Sequence, residues 1–265
     1  MALGEAEAIF KATGSRVLIV DLQGKPRWSE VWEHHPAIAR TEAEPHRVRL
    51  VNCPNARPYL KAWAYVDGNP VSVFSKWRAQ NCIGRLALTP REAALGEELL
   101  AKVGPYAVIE PHIGPCSSPN KDWGFDRFQE VVRMTPEMRW VQLGGDSRSL
   151  EGVDRVKTAS FREACGVLSR AQVFLSPEGG LHHAAAALNR PGVVIFGGFT
   201  SPENTGYPMH INLYVQDHHA PCGRWVPCDG CRQAMERIRP EEVSRALGAL
   251  VAAGQDHKQS AKRGS

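Results

Sequence analysis

The sequence predicts an α/β protein in which parallel strands alternate with helices. Three observations support this prediction: short runs rich in Val, Ile and Leu, amphipathic segments between those runs, and Gly and Pro at the junctions. The chain has 265 residues, of which 43% are hydrophobic and 23% charged. A chain of this kind can bury one large core or two smaller ones, and its composition excludes a disordered or fibrous protein.

The N-terminal part, residues 1–95, is expected to form a short domain with a Rossmann-like alternation of strand and helix. Apolar runs typical of strands buried on both faces lie at residues 16–22, 47–53 and 70–74. Segments with helix-like periodicity separate them and lie at residues 28–39 and 56–66.

A helix over residues 88–104 joins this part to the next. Thr89 is a good N-cap, Pro90 suits the first helical position, and Gly104 ends the pattern. The second domain is expected to span residues 96–254.

This second domain shows a regular alternation that predicts a doubly wound parallel sheet. Its strands are predicted at residues 106–111, 139–144, 172–176 and 192–197, and its helices at residues 125–134, 160–169, 180–188 and 240–253. The last residues, 255–265, are polar and basic and predict a disordered tail.

Composition also predicts a cytoplasmic protein. The N-terminal residues lack the order of a secretory signal, and no apolar run reaches the roughly 20 residues that span a bilayer. Seven cysteines in such a chain are expected to be mostly reduced thiols. The net charge of +4 is small, so the basic tail is only a weak indication of contact with a polyanion.

One loop with possible chemistry follows the strand at residues 172–176. Glu178 lies at the tip of the turn, and Gly179 and Gly180 open an alanine-rich helix. Glycines there let a ligand approach the N–H groups at the positive end of the helix, which suits a diphosphate. The alternative is that the glycines only permit a tight turn and that Glu178 only complements the helix dipole.

A second such loop contains the stretch SSPNKDW, at residues 117–123. Ser117, Ser118 and Lys121 offer hydroxyl donors and one positive charge to phosphate oxygens. Taken alone, this stretch indicates a solvated turn. Because both loops lead from a strand into a helix of the same predicted sheet, a shared phosphate site becomes the favoured interpretation.

A third loop has Gly144 and Gly145 after a strand, which again allows close backbone approach. The sequence has no complete G-x-G-x-x-G fingerprint and no G-x-x-x-x-G-K-[ST] loop. Dehydrogenases of the first class and ATPases or kinases of the second are therefore disfavoured.

Residues from about 105 to 253 resemble the C-terminal domain of glycosyltransferase family 9, the heptosyltransferase-like enzymes of GT-B fold. The stretch SSPNKDW is similar to the family's hydroxyl pair and K-x-W-P, with Gly124 in place of Pro. SPEGGLHHAAAAL resembles D-T-G-L-x-H-x-A-A-A-L, with Glu178 in place of Asp, and VVIFGGFTSPENTG resembles the family's strand and F-G-x-T-x-P. The closing IRPEEVSRAL also matches.

This resemblance implies two Rossmann-like domains and an inverting, metal-independent enzyme that uses a nucleotide-diphosphate sugar and needs no other cofactor. It implies that the donor phosphates are held by Ser117, Ser118, Lys121 and the N–H groups of Gly179 and Gly180. Glu178 would contact or orient the donor sugar. The stretch from Thr158 to Phe161 would lie near the nucleotide base. Gly144, from the glycine loop described above, is a further candidate for the donor site.

The catalytic base is where this sequence departs from the family pattern. The family has a carboxylate in a G-D pair after the first strand, and here Gly24 is followed by Lys25. Glu30 is our first candidate for the base that deprotonates the acceptor hydroxyl, and Asp21 is the second. As a first-turn acid, Glu30 also fits a purely electrostatic role at a helix start.

The stretch HHAPCGRWVPCDGC, at residues 218–231, allows a zinc site. Cys228 and Cys231 have C-x-x-C spacing, and Cys222 with His218 or His219 would complete four ligands. Because no second C-x-x-C is present, we favour free or locally packed thiols.

The expected acceptor is a saccharide, such as a lipopolysaccharide core sugar, which would bring the protein to a membrane surface. A modified base in DNA is an alternative acceptor, because of the basic tail and the short N-terminal domain. A non-catalytic nucleotide-sugar-binding module is a second alternative, and a zinc-dependent nucleic-acid-binding protein is a third.

Overall fold

The fold is described for residues 1–53, 56–76, 78–144, 148–216 and 221–263 of a computed structural model. The helices are α1 (Ala2–Thr13), α2 (Pro90–Val103), α3 (Phe125–Met134), α4 (Phe161–Leu168), α5 (Gly180–Ala187), α6 (Pro202–Thr205), α7 (Asp229–Glu236) and α8 (Pro240–Arg263). The strands are β1 (Val17–Val20), β2 (Ile38–Ala39), β3 (Val48–Val51), β4 (Leu60–Val66), β5 (Asn69–Phe74), β6 (Ala107–Ile109), β7 (Trp140–Gln142), β8 (Asp154–Arg155), β9 (Phe174–Pro177), β10 (Gly192–Phe196) and β11 (His210–Tyr214). Short 3-10 helices lie at Glu30–Trp32, Ala79–Asn81 and Pro119–Lys121.

The C-terminal part is built on a parallel sheet. Within the described residues this sheet has six strands in the order β11-β10-β9-β6-β7-β8. From β6 the chain moves outward to β7 and β8, then returns to place β9 on the other side of β6, with Val108 opposite Phe174. The strand order therefore reverses between β6 and β9. In open α/β sheets a ligand binds at such a point, beyond the carboxyl ends of the strands.

The strands of this sheet are apolar because helices cover both faces. On one face, α3 and α8 pack over a core that includes Trp123, Phe128, Trp140, Val243 and Leu247. On the other face, α2, α4 and α5 pack over a core of Tyr106, Leu168, Phe174 and Phe196 with their neighbours. This arrangement confirms the predicted doubly wound sheet, and the predicted capping of α2 by Thr89 and Pro90 is also present.

The N-terminal part contains a parallel sheet of order β2-β1-β3 in the described residues. Its core is made of β1 residues such as Ile19 together with Ala6 of α1, Trp32 and Ile38. The predicted helix over residues 28–39 is wrong. Only one 3-10 turn forms there, because His34 adopts a left-handed φ of 61° and the chain then enters β2.

The predicted helix over residues 56–66 is also wrong. Residues 60–66 form β4, which pairs antiparallel with β5. Asp67 and Gly68 join the two strands with φ of 51° and 76°, the positive pair that an Asp-Gly hairpin turn requires. The strand predicted over residues 70–74 is present, but it belongs to this hairpin and not to the N-terminal parallel sheet.

At the C-terminal end, α8 includes most of the residues for which a disordered tail is predicted, and that tail stays a prediction. Helix α8 continues to Arg263, since no Gly or Pro follows Gly254 in its span and Ala, Gln, Lys and Arg favour helix. The predicted domain boundary at residue 95 stays a prediction and falls inside α2. In the part of the chain that the structure describes, no helix combines the length and the apolar character needed to cross a membrane.

Candidate functional site

A cavity of about 620 Å³ lies at the carboxyl ends of β6, β7 and β9, where the strand order reverses. Several residues singled out in the sequence line it together: Ser117, Gly144, Thr158, Glu178, Gly179 and Gly180. Three loops far apart in the chain therefore meet at one site. Lys121 and Ser118 are not among the residues that line it.

Lys121 reaches the cavity wall through an ion pair with Glu178. The ammonium group contacts Glu178 Oε2, and the two side chains are only 14% and 5% exposed. The ammonium also lies 4.9 Å from the centre of the Phe199 ring. Burial alone would raise the pKa of the Glu178 carboxyl, but the charge of Lys121 and the nearby His182 lower it below its ordinary value. Glu178 is therefore ionised at neutral pH and able to accept hydrogen bonds.

The first turn of α5 opens into this cavity. His182 is fully buried, and its Nε2–H donates to the carbonyl of Thr205 at 2.8 Å. Its Nδ1 therefore accepts the N–H of Gly179, at 3.1 Å. The N–H of Gly179 thus has a partner within the protein, and its expected role towards a diphosphate stays a prediction. The N–H groups of Gly180 and Leu181 belong to the first helical turn, where no intrahelical partner exists, and both residues line the cavity.

The two neighbouring serines have different environments. Ser117 lines the cavity and is partly exposed. Ser118 is completely buried, donates its hydroxyl to the carbonyl of Arg224 at 2.7 Å and accepts the N–H of Asn120 at 3.3 Å. Ser118 therefore stabilises the loop, whereas the hydroxyl of Ser117 is the one available to a ligand.

Glu110 is a residue of the cavity that the sequence analysis missed. Its carboxyl group accepts the N–H of His112 at 3.0 Å. It packs against Gly144, whose φ is +117° and where a Cβ atom would lie 2.4 Å from Glu110 Oε2. Burial raises the pKa of Glu110 to about 7. The available signal was its position, because it follows a buried strand directly at the carboxyl edge of the sheet.

His183 and Tyr207 lie beside Glu178, and neither was assigned a role in the site from the sequence. His183 Nδ1 is 2.9 Å from the Tyr207 hydroxyl, and its Nε2 is 3.8 Å from Glu178 Oε1. Burial, with a contribution from His182, lowers the pKa of His183 well below its ordinary value, so the ring is neutral. The neutral ring of His183, in α5, thus faces the ionised carboxylate of Glu178.

The two candidate bases do not line this cavity. The carboxylate of Asp21 accepts the N–H groups of Gln23 and Lys25, at 3.0 and 2.9 Å, and so closes its own turn. Glu30 is exposed, and its backbone carbonyl accepts a hydrogen bond from Arg162. The structure therefore does not bring either carboxylate to Glu178.

The three cysteines of the proposed zinc alternative do meet. The sulfur atoms of Cys222, Cys228 and Cys231 all lie within 4.8 Å of one another. The thiol of Cys231 hydrogen-bonds to Cys222, which lowers the pKa of Cys222 to about 6 and raises that of Cys231 above its ordinary value. Three thiolates at this spacing fit a thiophilic metal. His218 and His219, the candidates for a fourth ligand, lie outside the described residues.

A second group with possible metal ligands consists of Glu178, His182 and His183. A metal there would have to displace the ammonium of Lys121 from Glu178 and the backbone partners of both nitrogens of His182. This group is therefore better described as a carboxylate paired with Lys121 than as a metal site.

Comparison with known proteins gives a consistent result. The sequence model of the family described as "Glycosyltransferase family 9 (heptosyltransferase)" matches residues 78–223. No curated protein matches the chain. Among solved structures, a glycosyl transferase family 9 protein from Veillonella parvula has a TM-score of 0.64 at 13% identity, covering 95% of this chain and 93% of that one.

A second solved structure, ADP-heptose lps heptosyltransferase II from E. coli, has a TM-score of 0.50 at 18% identity. The similarity covers 64% of this chain and 54% of that one, so the chain spans about half the length of the E. coli protein. At these identities the two likenesses support the fold, and they agree with the GT-B architecture expected from the sequence.

Proposed function

Because the chain belongs to glycosyltransferase family 9, we propose that it transfers a sugar from a nucleotide-diphosphate sugar to an acceptor hydroxyl. The observation that carries this proposal is the buried ion pair of Lys121 with Glu178, immediately before α5 and at the point where the strand order reverses. This pair supplies a positive charge for a leaving diphosphate and an ionised carboxylate for sugar hydroxyls.

The donor phosphates would bind between Ser117, the ammonium of Lys121 and the first N–H groups of α5. Together these groups stabilise the negative charge that develops as the sugar leaves, without requiring a metal ion. The nucleoside would extend towards Gly144 and Thr158, on the other side of the same cavity. We propose an ADP-heptose-like or UDP-sugar donor and inversion at the sugar.

The acceptor would approach from the N-terminal part. Tyr59, which precedes β4, is close enough to Glu178 and Lys121 for both charges to act on its pKa; that pKa is raised, mainly by burial. The hairpin formed by β4 and β5 reaches the same region, where Phe74 contacts Phe199 with ring centres 5.7 Å apart. A saccharide acceptor fits a polar and aromatic surface of this kind. No contact in the described site favours a DNA acceptor.

A non-catalytic nucleotide-sugar-binding module is the second candidate. The observation that favours it is the absence of Glu30 and Asp21 from the lining of the cavity. The two candidates share the donor site and differ only in turnover.

Thermal unfolding in the presence of ADP, UDP and their sugars tests the donor site, since a ligand that binds only the native state raises the melting temperature. Transfer from a labelled donor to candidate saccharides then separates the two candidates. Lys121→Ala should reduce the thermal shift, whereas Lys102→Ala, which changes an exposed lysine at the end of α2, should leave it intact. A flat screen with the unchanged protein would contradict the proposed donor class.

A further inference from the structure

The side-chain amide of Asn120 joins the loop that carries Lys121 to the loop that carries the cysteines. Its Nδ2 donates to the carbonyls of Arg224 and Val226, at 3.0 and 2.9 Å. Its Oδ1 accepts the N–H of Cys228 at 2.9 Å. Asn120 is only 6% exposed, and these three bonds use both hydrogens and the oxygen of its amide.

The backbone of this loop is held on its other side by Gly197, which directly follows β10. A Cβ atom at Gly197 would lie 2.1 Å from the carbonyl oxygen of Asn120 and 3.0 Å from the Cα of Lys121. The 3-10 turn Pro119–Lys121 is therefore packed between the end of the sheet and the cysteine loop. Few backbone positions for Lys121 satisfy both contacts.

We propose that Asn120 is a positioning residue for donor binding: it holds the turn so that the ammonium of Lys121 meets Glu178 and the donor diphosphate. This inference rests on the proposed function. The side chain of Asn120 does not line the cavity, so it acts through Lys121 and not by contact with the ligand. A displacement of about 1 Å is enough to weaken such an electrostatic contact considerably.

A purely structural role would have a different signature. Loss of the Asn120 amide would then lower stability while the folded fraction bound its ligand normally. Gln129 offers a matched control, because it is also buried and its amide also clasps a backbone segment. Its Nε2 donates to the carbonyl of Glu151 at 3.1 Å, and its Oε1 accepts the N–H of Glu151 at 2.7 Å, away from the cavity.

The test is a double-mutant cycle with ADP and UDP as probes, measured by calorimetric titration of the folded protein. Asn120→Ala should weaken binding of the nucleotide that the unchanged protein prefers by about tenfold. Gln129→Ala should leave that affinity unchanged. The variant carrying both Asn120→Ala and Lys121→Ala should bind no more weakly than Lys121→Ala alone, because the two residues act through one contact.

Equal affinity of Asn120→Ala and the unchanged protein would overturn the inference, and so would losses that add in the double variant. If Asn120→Ala yields no folded protein, Asn120→Ser supplies the same cycle, since its shorter, uncharged side chain cannot make all three bonds to Arg224, Val226 and Cys228. Failure of the unchanged protein to bind either nucleotide would instead refute the proposed donor site, so the two failures are distinguishable.

Discussion

The guanidinium group of Arg162 donates two hydrogen bonds of 2.6 Å to the two carboxylate oxygens of Glu92. The side chains are 5% and 15% exposed, and hydrogen bonds with Arg162 are the largest influence that lowers the pKa of Glu92 to about 2. Arg162 also donates to the carbonyls of Ala87 and Glu30. Its hydrogen bonds therefore connect α4 to α2 and to the N-terminal part of the chain, at the edge of the candidate site.

Replacement of Arg162 should be strongly destabilising. Arg162→Met leaves the partly buried carboxylate of Glu92 with only the N–H of Thr89 as a partner, which costs about 3 kcal/mol of unfolding free energy. Urea denaturation measures this loss. Adding Glu92→Gln should recover part of it, because the unpaired charge is then gone. Arg133→Met breaks an exposed pair with Glu151 and should change the stability by less than about 1 kcal/mol. Equal effects at the two arginines would contradict this prediction.

Glu30 and Asp21 should differ in their effect on turnover. If Glu30 is the base, Glu30→Gln lowers the rate at saturating donor by about 100-fold or more, while donor affinity stays unchanged. Asp21→Asn should have little effect, since an asparagine oxygen can still accept the N–H groups of Gln23 and Lys25. Full turnover in both variants, measured with a labelled donor, would show that the base lies elsewhere.

Glu110 should make stability depend on pH. Its pKa is raised from 4.5 to about 7, so the native state keeps the proton that the unfolded chain releases in this range. Stability therefore falls as pH rises from about 4.5 to 7 and stays lower above pH 7. Glu110→Gln removes this loss, which is at most about 3.5 kcal/mol at roughly 1.4 kcal/mol per pKa unit.

The measurement for Glu110 is the melting temperature of both proteins at pH 4.5 and pH 8. The gain of Glu110→Gln over the unchanged protein should be larger at pH 8. Glu137→Gln, which changes an exposed side chain, should alter the melting temperature by the same amount at both pH values. A gain for Glu110→Gln that does not vary with pH would contradict the assigned cause.

The cysteine cluster should retain a metal. Since three sulfur atoms lie within 4.8 Å of one another, we expect about one equivalent of zinc per chain after purification without chelator. Cys228→Ser should reduce this content and make the remaining thiols react with a thiol reagent. Metal-free protein with freely reactive thiols would instead support the free-thiol interpretation drawn from the sequence.

Much of the C-terminal sheet could be predicted because its strands are buried on both faces and so appear as continuous apolar runs, as in residues 192–197. The hairpin was not predicted, because the short apolar pattern of residues 56–66 fits both helical and strand periods. The Asp67-Gly68 turn was the signal that would have decided between them. The helix predicted over residues 28–39 also rested on the local apolar period alone, which does not show that the chain turns at His34.

Some residues of the candidate site could likewise be recognised from the sequence, and others could not. The sequence identified the glycines that follow strands, together with Ser117, Lys121 and Glu178. Their residue types suit a phosphate, and their positions after strands place them at one edge of the sheet. Glu110 and Asn120 were not recognisable. An acid that ends a strand and an asparagine in a turn are common, and only their packing against Gly144 and the cysteine loop gives them a role.

By itself, the sequence determined which segments become the buried strands and which loops carry groups suited to a diphosphate, since these depend on local composition and on the period of the apolar residues. Only the tertiary structure decided which of those groups face one another. It turned the hydroxyl of Ser118 to Arg224, engaged the N–H of Gly179 with His182, and left Glu30 outside the cavity. Such outcomes depend on contacts between residues far apart in the chain, and local pattern does not encode them.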